Sequence, residues 1–187
     1  HHLRSLGVGP ETLVGLCAHR SPALVVALLA ILKAGGAYLP LDPELPGERL
    51  SFLMRDGDIQ VLLTERALEG VLLASPATRV LLDDENTFAK QPSSRVESGV
   101  QGHHLAYVMY TSGSTGRPKG VMVSHANAAA SLAARLAFYR DPISAFLLLS
   151  PLSFDSSVAG LFWTLAQGGT LVLPDAEEQR DPERIAA

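Results

Sequence analysis

The sequence predicts a layered α/β fold with a largely parallel sheet flanked by helices. Three observations carry this. Short apolar segments alternate with longer helical ones along the chain. The short segments are continuously apolar, as strands buried on both faces are. Glycine and proline punctuate the transitions.

The elements follow in order. His1 to Leu6 reads as the last turns of a helix, stopped at Gly7. Residues 14–18 form a strand. Ser21 and Pro22 supply a cap and a first-turn proline for a helix over 23–33. Gly35 and Gly36 stop it, and residues 37–41 return to extended chain. A helix over 46–54 starts at a proline. Strands are expected over 61–64 and 79–83, then a polar surface connection over 85–102. Residues 105–110 form the next strand, followed by a small-residue loop and a second extended run over 120–123. Helices are expected over 126–138 and 156–166, and strands over 146–149 and 170–173. Asp181, Pro182 and Glu183 read as a further helix start.

Composition narrows the function classes. The 187 residues are 47% hydrophobic and 18% charged, which excludes bulk disorder. A net charge of −4 with no long basic block argues against nucleic acid as a partner. The longest apolar run, residues 23–32, falls short of the roughly 20 residues a bilayer span needs, so no membrane partner is expected. The single cysteine, Cys17, sits among apolar neighbours and reads as a buried core thiol. The absence of a disulfide framework fits a cytoplasmic setting. No cluster of His and Cys has ligand spacing, so no metal-ligating residues are assigned. Ser153 lacks the surroundings of a hydrolase nucleophile.

The strongest chemical signal is the string from Thr111 to Gly120, TSGSTGRPKG, fed by the strand that begins at Leu105. Thr111, Ser112, Ser114 and Thr115 offer hydroxyls. Gly113, Gly116 and Gly120 allow close approach by a ligand. Backbone N–H groups and hydroxyls of this kind surround phosphate oxygens, and Lys119 adds a point charge. The string is neither the common nucleotide-triphosphatase loop nor the dinucleotide fingerprint.

On these residues the chain resembles the adenylation domains of non-ribosomal peptide synthetases, within the wider adenylate-forming superfamily. Three of the family's core motifs stand in order. They are LKAGGAYLPLD from Leu32 to Asp42, the phosphate loop within Leu105 to Gly120, and FDSS from Phe154 to Ser157. The phosphate loop is specific for the superfamily. The other two narrow the resemblance to members that activate amino acids.

The resemblance implies that a substrate carboxylate attacks the α-phosphate of ATP, pyrophosphate leaves, and a carrier-protein phosphopantetheine thiol takes the acyl group. Mg²⁺ neutralises phosphate charge. Thr111, Ser112, Gly113, Ser114, Thr115, Gly116, Lys119 and Gly120 would bind the ATP phosphates. Asp155 would take the substrate ammonium, as a buried carboxylate needs a cation. Its local context equally suits a helix cap. Ser156 and Ala159 match the next pocket positions. Leu32 to Asp42 reads as structural, with Gly35 and Gly36 turning helix into strand. His125 would cap the alanine-rich helix or pack near the nucleotide.

The partners implied are an amino acid, a peptidyl carrier domain and neighbouring synthetase domains. The resemblance covers the whole chain as an incomplete large N-terminal subdomain, with approximate halves 1–84 and 105–187 joined by 85–104. The small C-terminal subdomain that carries the family's principal lysine is not in it. The catalytic residue is therefore unassigned, and the isolated 187 residues are expected to be inactive. An acyl- or aryl-CoA ligase, or a non-catalytic binding module, stands as the alternative.

Overall fold

A computed structural model describes residues 1–72, 75–112, 117–175, 178–181 and 183. The first helix, α1 (His2–Ser5), stops where glycine permits it, with Gly7 at φ +87°. Strand β1 (Leu13–Cys17) leads to α2 (Pro22–Ala34). Ser21 caps α2, its Oγ accepting from the Leu24 N–H at 3.2 Å. Gly35 closes α2 in the left-handed region at φ +95°. The Gly36 N–H reaches back to the Ile31 carbonyl and the Gly35 N–H to that of Leu32, which satisfies the last carbonyls of the helix. Then follow β2 (Ala37–Pro40), α3 (Gly47–Asp56), β3 (Val61–Thr64) and β4 (Thr78–Leu81).

The connection expected over 85–102 starts with one helical turn, α4 (Glu85–Phe88). Asp84 organises it, accepting from the Asn86 N–H at 3.1 Å and the Thr87 hydroxyl at 3.3 Å. Beyond it lie β5 (Leu105–Thr111), β6 (Lys119–Ser124), α5 (His125–Phe138), β7 (Ala145–Leu147), α6 (Asp155–Ala166) and β8 (Thr170–Val172). Of the helix start expected near 181, Pro182 and residues 184–187 lie outside the described residues. Asp181 itself accepts from the Glu183 N–H at 3.0 Å.

The principal sheet has the order β4-β3-β1-β2-β5-β6 and draws strands from both sides of the 85–104 connection. β7 and β8 form a small parallel pair of their own. Among the described residues the pairings are parallel except β5 with β6. The fold is thus α/β as expected, and its sheet is mixed at one edge. The reason is local: only residues 112–118 separate β5 from β6 in the chain, whereas a parallel return needs a crossover of a dozen residues or more.

Side chains alternate across the sheet, so each face has its own core. Val14, Leu16, Tyr38, Val61 and Leu63 pack with Leu24, Leu28 and Ile31 of α2. Cys17, Leu39 and Leu62 pack on the other face with Leu50, Leu53 and Met54 of α3. Each such fully buried aliphatic side chain contributes about 1.5–3 kcal/mol relative to exposure. Tyr107, Met109, Val158 and Leu161 extend the first core, which places α6 on the α2 side of the sheet. Arg20 ties the small pair down, donating to the Leu148 carbonyl and, at 2.6 Å, to that of Leu149.

Candidate active site

Two helices and one strand enclose a cavity of about 140 Å³. Helix α5 faces it with Ala128, Ser131, Leu132 and Arg135. Helix α6 faces it with Asp155, Val158, Ala159 and Phe162. Both sets follow the i, i+3, i+4, i+7 spacing, which places each on a single helix face. Tyr107 of β5 supplies the remaining wall.

The start of α5 is set by Ser124. Its Oγ accepts from the Asn127 N–H at 3.2 Å, and Asn127 Oδ1 accepts in return from the Ser124 N–H at 3.2 Å. This reciprocal box corrects the expectation that His125 caps the helix. His125 is the first helical residue, and its Nε2 is buried without a hydrogen-bond partner among the described residues. Burial, and secondarily His104, lower its pKa.

Asp155 is also the first residue of its helix. Phe154 occupies the cap position, and no side-chain cap bond is made there. The capping role open to Asp155 in the sequence is therefore not the one it adopts. A carboxylate in this first turn is favoured by the helix dipole. Asp155 is exposed, contrary to the buried setting that would demand a cation. Its charge still reaches the cavity wall: burial first, then Asp155, raises the Tyr107 pKa. Tyr107 is held in place by stacking on buried Tyr38, with ring centroids 5.3 Å apart.

Ala159 lines the cavity beside Asp155, and its small side chain leaves space there. Ser156 does not line it. One residue along the helix it points about 100° away, and its hydroxyl donates to Ser150 Oγ at 2.9 Å. Tyr107, Arg135, Val158 and Phe162 also surround the cavity and were not singled out from the sequence. The α6 stripe could have been found by stepping three, four and seven residues from Asp155. Arg135 carried no comparable signal, since a charged residue on an alanine-rich helix reads as a solvated one.

The described ends of the glycine-rich string stand at the loop end of the paired strands β5 and β6. Thr111 stands opposite Lys119, and Tyr110 opposite Gly120. Thr111, Ser112, Lys119 and Gly120 are exposed, which leaves their polar groups open to a ligand. Gly113, Ser114, Thr115 and Gly116 lie outside the described residues. The loop end of β5 is tied to α3 by the Tyr110 hydroxyl, which donates to Asp56 Oδ2 at 2.5 Å. Gly120 is constrained by its neighbours, since a Cβ there would lie 3.1 Å from Val108 Cγ1. Thr111 lies four residues beyond Tyr107, or roughly 13 Å at strand rise. The cavity and the hairpin tip are therefore two ends of one strand.

The AMP-binding enzyme family matches residues 1–187. The chain belongs to that family. Among relatives of this AMP-binding chain, tyrocidine synthase 3 from Brevibacillus parabrevis is 43% identical over 180 residues. That match covers 96% of this chain and 3% of the synthase. Phosphinothricin tripeptide synthetase PhsB from Streptomyces viridochromogenes is 43% identical over 187 residues, covering 98% of this chain and 16% of the synthetase. The chain thus spans a small part of these relatives. Its backbone is similar to that of the nonribosomal peptide synthetase FmoA3 bound to α-methyl-L-serine-AMP. The TM-score is 0.87 with 34% identity, over 98% of this chain and 20% of that one. The AMPPNP-bound form gives 0.88 with 33% identity, over 98% and 19%. The chain is homologous to the adenylation domains of nonribosomal peptide synthetases, as its three motifs indicate.

Proposed function

We propose that the protein carrying this chain activates an amino acid with ATP as an aminoacyl-adenylate and passes it to the phosphopantetheine thiol of a peptidyl carrier domain. One observation supports this above others: a small cavity with a carboxylate at its edge shares a strand with the exposed hydroxyls and lysine of the glycine-rich hairpin. Both kinds of group needed to bring an amino acid to ATP are present.

Asp155 receives the substrate ammonium. Ala159 leaves room for the substrate, while Ser156, the other motif position, donates to Ser150 away from the cavity. Thr111, Ser112, Gly113, Ser114, Thr115, Gly116, Lys119 and Gly120 hold the ATP phosphates. ATP enters with its own Mg²⁺, which prefers phosphate oxygens and water to an all-protein cage. The hairpin donors match that load, since hydroxyls and an ammonium complement phosphate oxygens. This chain's contribution is positioning and charge stabilisation. Neighbouring synthetase domains act as partners, in a cytoplasmic setting that fits a lone buried thiol. Among the described residues no helix is long and apolar enough to cross a membrane.

The test is amino-acid-dependent ATP–pyrophosphate exchange by the full-length protein containing this chain. Asp155→Asn removes the ammonium's counter-charge. A hydrogen bond to a charged group contributes about 1.5–3 kcal/mol, so kcat/KM should fall roughly 10- to 150-fold. Exchange supported by fatty or aryl acids and by no amino acid would refute the proposal and leave an acyl- or aryl-CoA ligase.

A further inference from the structure

We infer that Arg135 selects the substrate's side chain, and that the cavity takes an amino acid whose short side chain ends in a carboxylate. This rests on the amino-acid-activation reading above and names the substrate class for the same site. Arg135 ends the α5 stripe that faces the cavity, while Asp155 begins the facing stripe of α6. Arg135 is partly buried, and its Nε is buried with no hydrogen-bond partner among the described residues. A guanidinium does not lose its charge in proteins and carries five donors, so a buried unmet N–H calls for an acceptor.

Asp155 does not supply that acceptor. The ion pairs among the described residues are His19 with Glu65 and Arg79 with Glu69. One cavity therefore presents a cation and an anion that are not paired with each other. A zwitterion with one extra negative charge fits both. Its ammonium goes to Asp155. Its α-carboxylate is the nucleophile and has to stay free to reach ATP, so Arg135 cannot hold it. The remaining anion is the one on the side chain. Carboxylate is the acceptor a guanidinium matches best, because the two fork geometries coincide.

The space between the charges supports the same class. Leu132, Val158, Ala159 and Phe162 give an apolar lining that suits a methylene stem. At about 140 Å³, the cavity is close to engineered cavities of about 150 Å³ that hold one benzene. Aspartate and glutamate match that scale.

The experiment is ATP–pyrophosphate exchange by the full-length protein, comparing aspartate and glutamate with asparagine, glutamine and leucine. It is run on the wild type, Arg135→Gln and Arg135→Lys. The wild type should favour an acid over its amide in kcat/KM. Arg135→Gln should lower that ratio about tenfold or more, chiefly through KM. Arg135→Lys, which keeps the charge, should preserve most of it. A wild-type preference for an amide or for leucine overturns the inference. So does an acid-to-amide ratio that Arg135→Gln leaves unmoved. Exchange with no amino acid at all removes the activation reading itself, and this inference with it.

Discussion

Replacing Gly35 with alanine tests whether the segment from Leu32 to Asp42 serves as structure. Gly35 lies at φ +95°, where a Cβ meets the backbone unfavourably. The left-handed region costs a non-glycine residue about 1–2 kcal/mol. The new Cβ would also lie 3.0 Å from Ser98 Cβ and 3.3 Å from the Ser98 carbonyl, so the 85–104 connection must yield slightly. The entropic benefit that Gly→Ala brings at a compatible site does not apply here, because the native dihedral is one alanine avoids. The expected loss is therefore about 1–2 kcal/mol. With a urea slope of about 2 kcal/mol/M, the unfolding midpoint falls roughly 0.5–1 M. Gly36→Ala should add its own penalty, because the Cβ would sit 2.7 Å from Val8 Cγ1 and 3.1 Å from the Thr12 carbonyl. Gly70→Ala is the control: among the described residues nothing lies within 4 Å of its Cβ position. Its midpoint should hold or rise. A Gly35→Ala midpoint equal to that of the parent protein, measured by circular dichroism in urea, would refute the reasoning.

Two further outcomes follow from titratable groups. Burial, then the charges of Asp42 and Glu65, push the Cys17 thiol up to about 12. A thiol-specific chromogenic reagent at mildly alkaline pH should therefore label Cys17 only after urea unfolding. Rapid labelling of the folded chain would contradict that. Burial first and His104 second lower the His125 pKa from 6.5. The unfolded chain then binds a proton that the folded chain does not, so stability is complete above the unfolded value. It declines as pH falls through 6.5 toward the folded pKa. His125→Gln should flatten that decline in urea midpoints taken between about pH 5 and 7.5. An unchanged slope would show that other groups set it.

Much of the fold was legible because several boundaries rest on single residues with one physical role. Ser21 and Pro22 start α2 and Gly35 ends it, as cap, ring constraint and left-handed stop dictate. The continuously apolar strands announced a sheet covered on both faces. The direction of β6 was not legible, since an apolar run over 120–123 looks the same in either orientation. The cap of α5 was misplaced by one residue because Ser124 pairs with Asn127 rather than with Glu or Gln at that spacing. At the site, Asp155, Ser156 and Ala159 were all read from motif position; Asp155 and Ala159 line the cavity and Ser156 does not. Adjacency along a helix means a turn of about 100°, so the next cavity residues come three and four positions on. Arg135 was hidden because alanine on every side of α5 leaves no apolar stripe to mark its inner face. Its place on the cavity wall emerges only once α6 is packed opposite.

Strand β5 works as a ruler. Tyr107 lines the cavity near one end and Thr111 stands opposite Lys119 at the other. Their spacing is fixed by backbone rise, held by the β2 and β6 ladders, and does not depend on side-chain reach. On the proposed function, selectivity and chemistry are thereby placed on separate parts. Substitutions along the inner stripes of α5 and α6 reshape the cavity without moving the hairpin tip. A one-residue insertion between Tyr107 and Thr111 would do the reverse, lengthening the ruler and turning every following side chain to the opposite face. On the proposed function, such a chain would hold its two substrates out of line with each other.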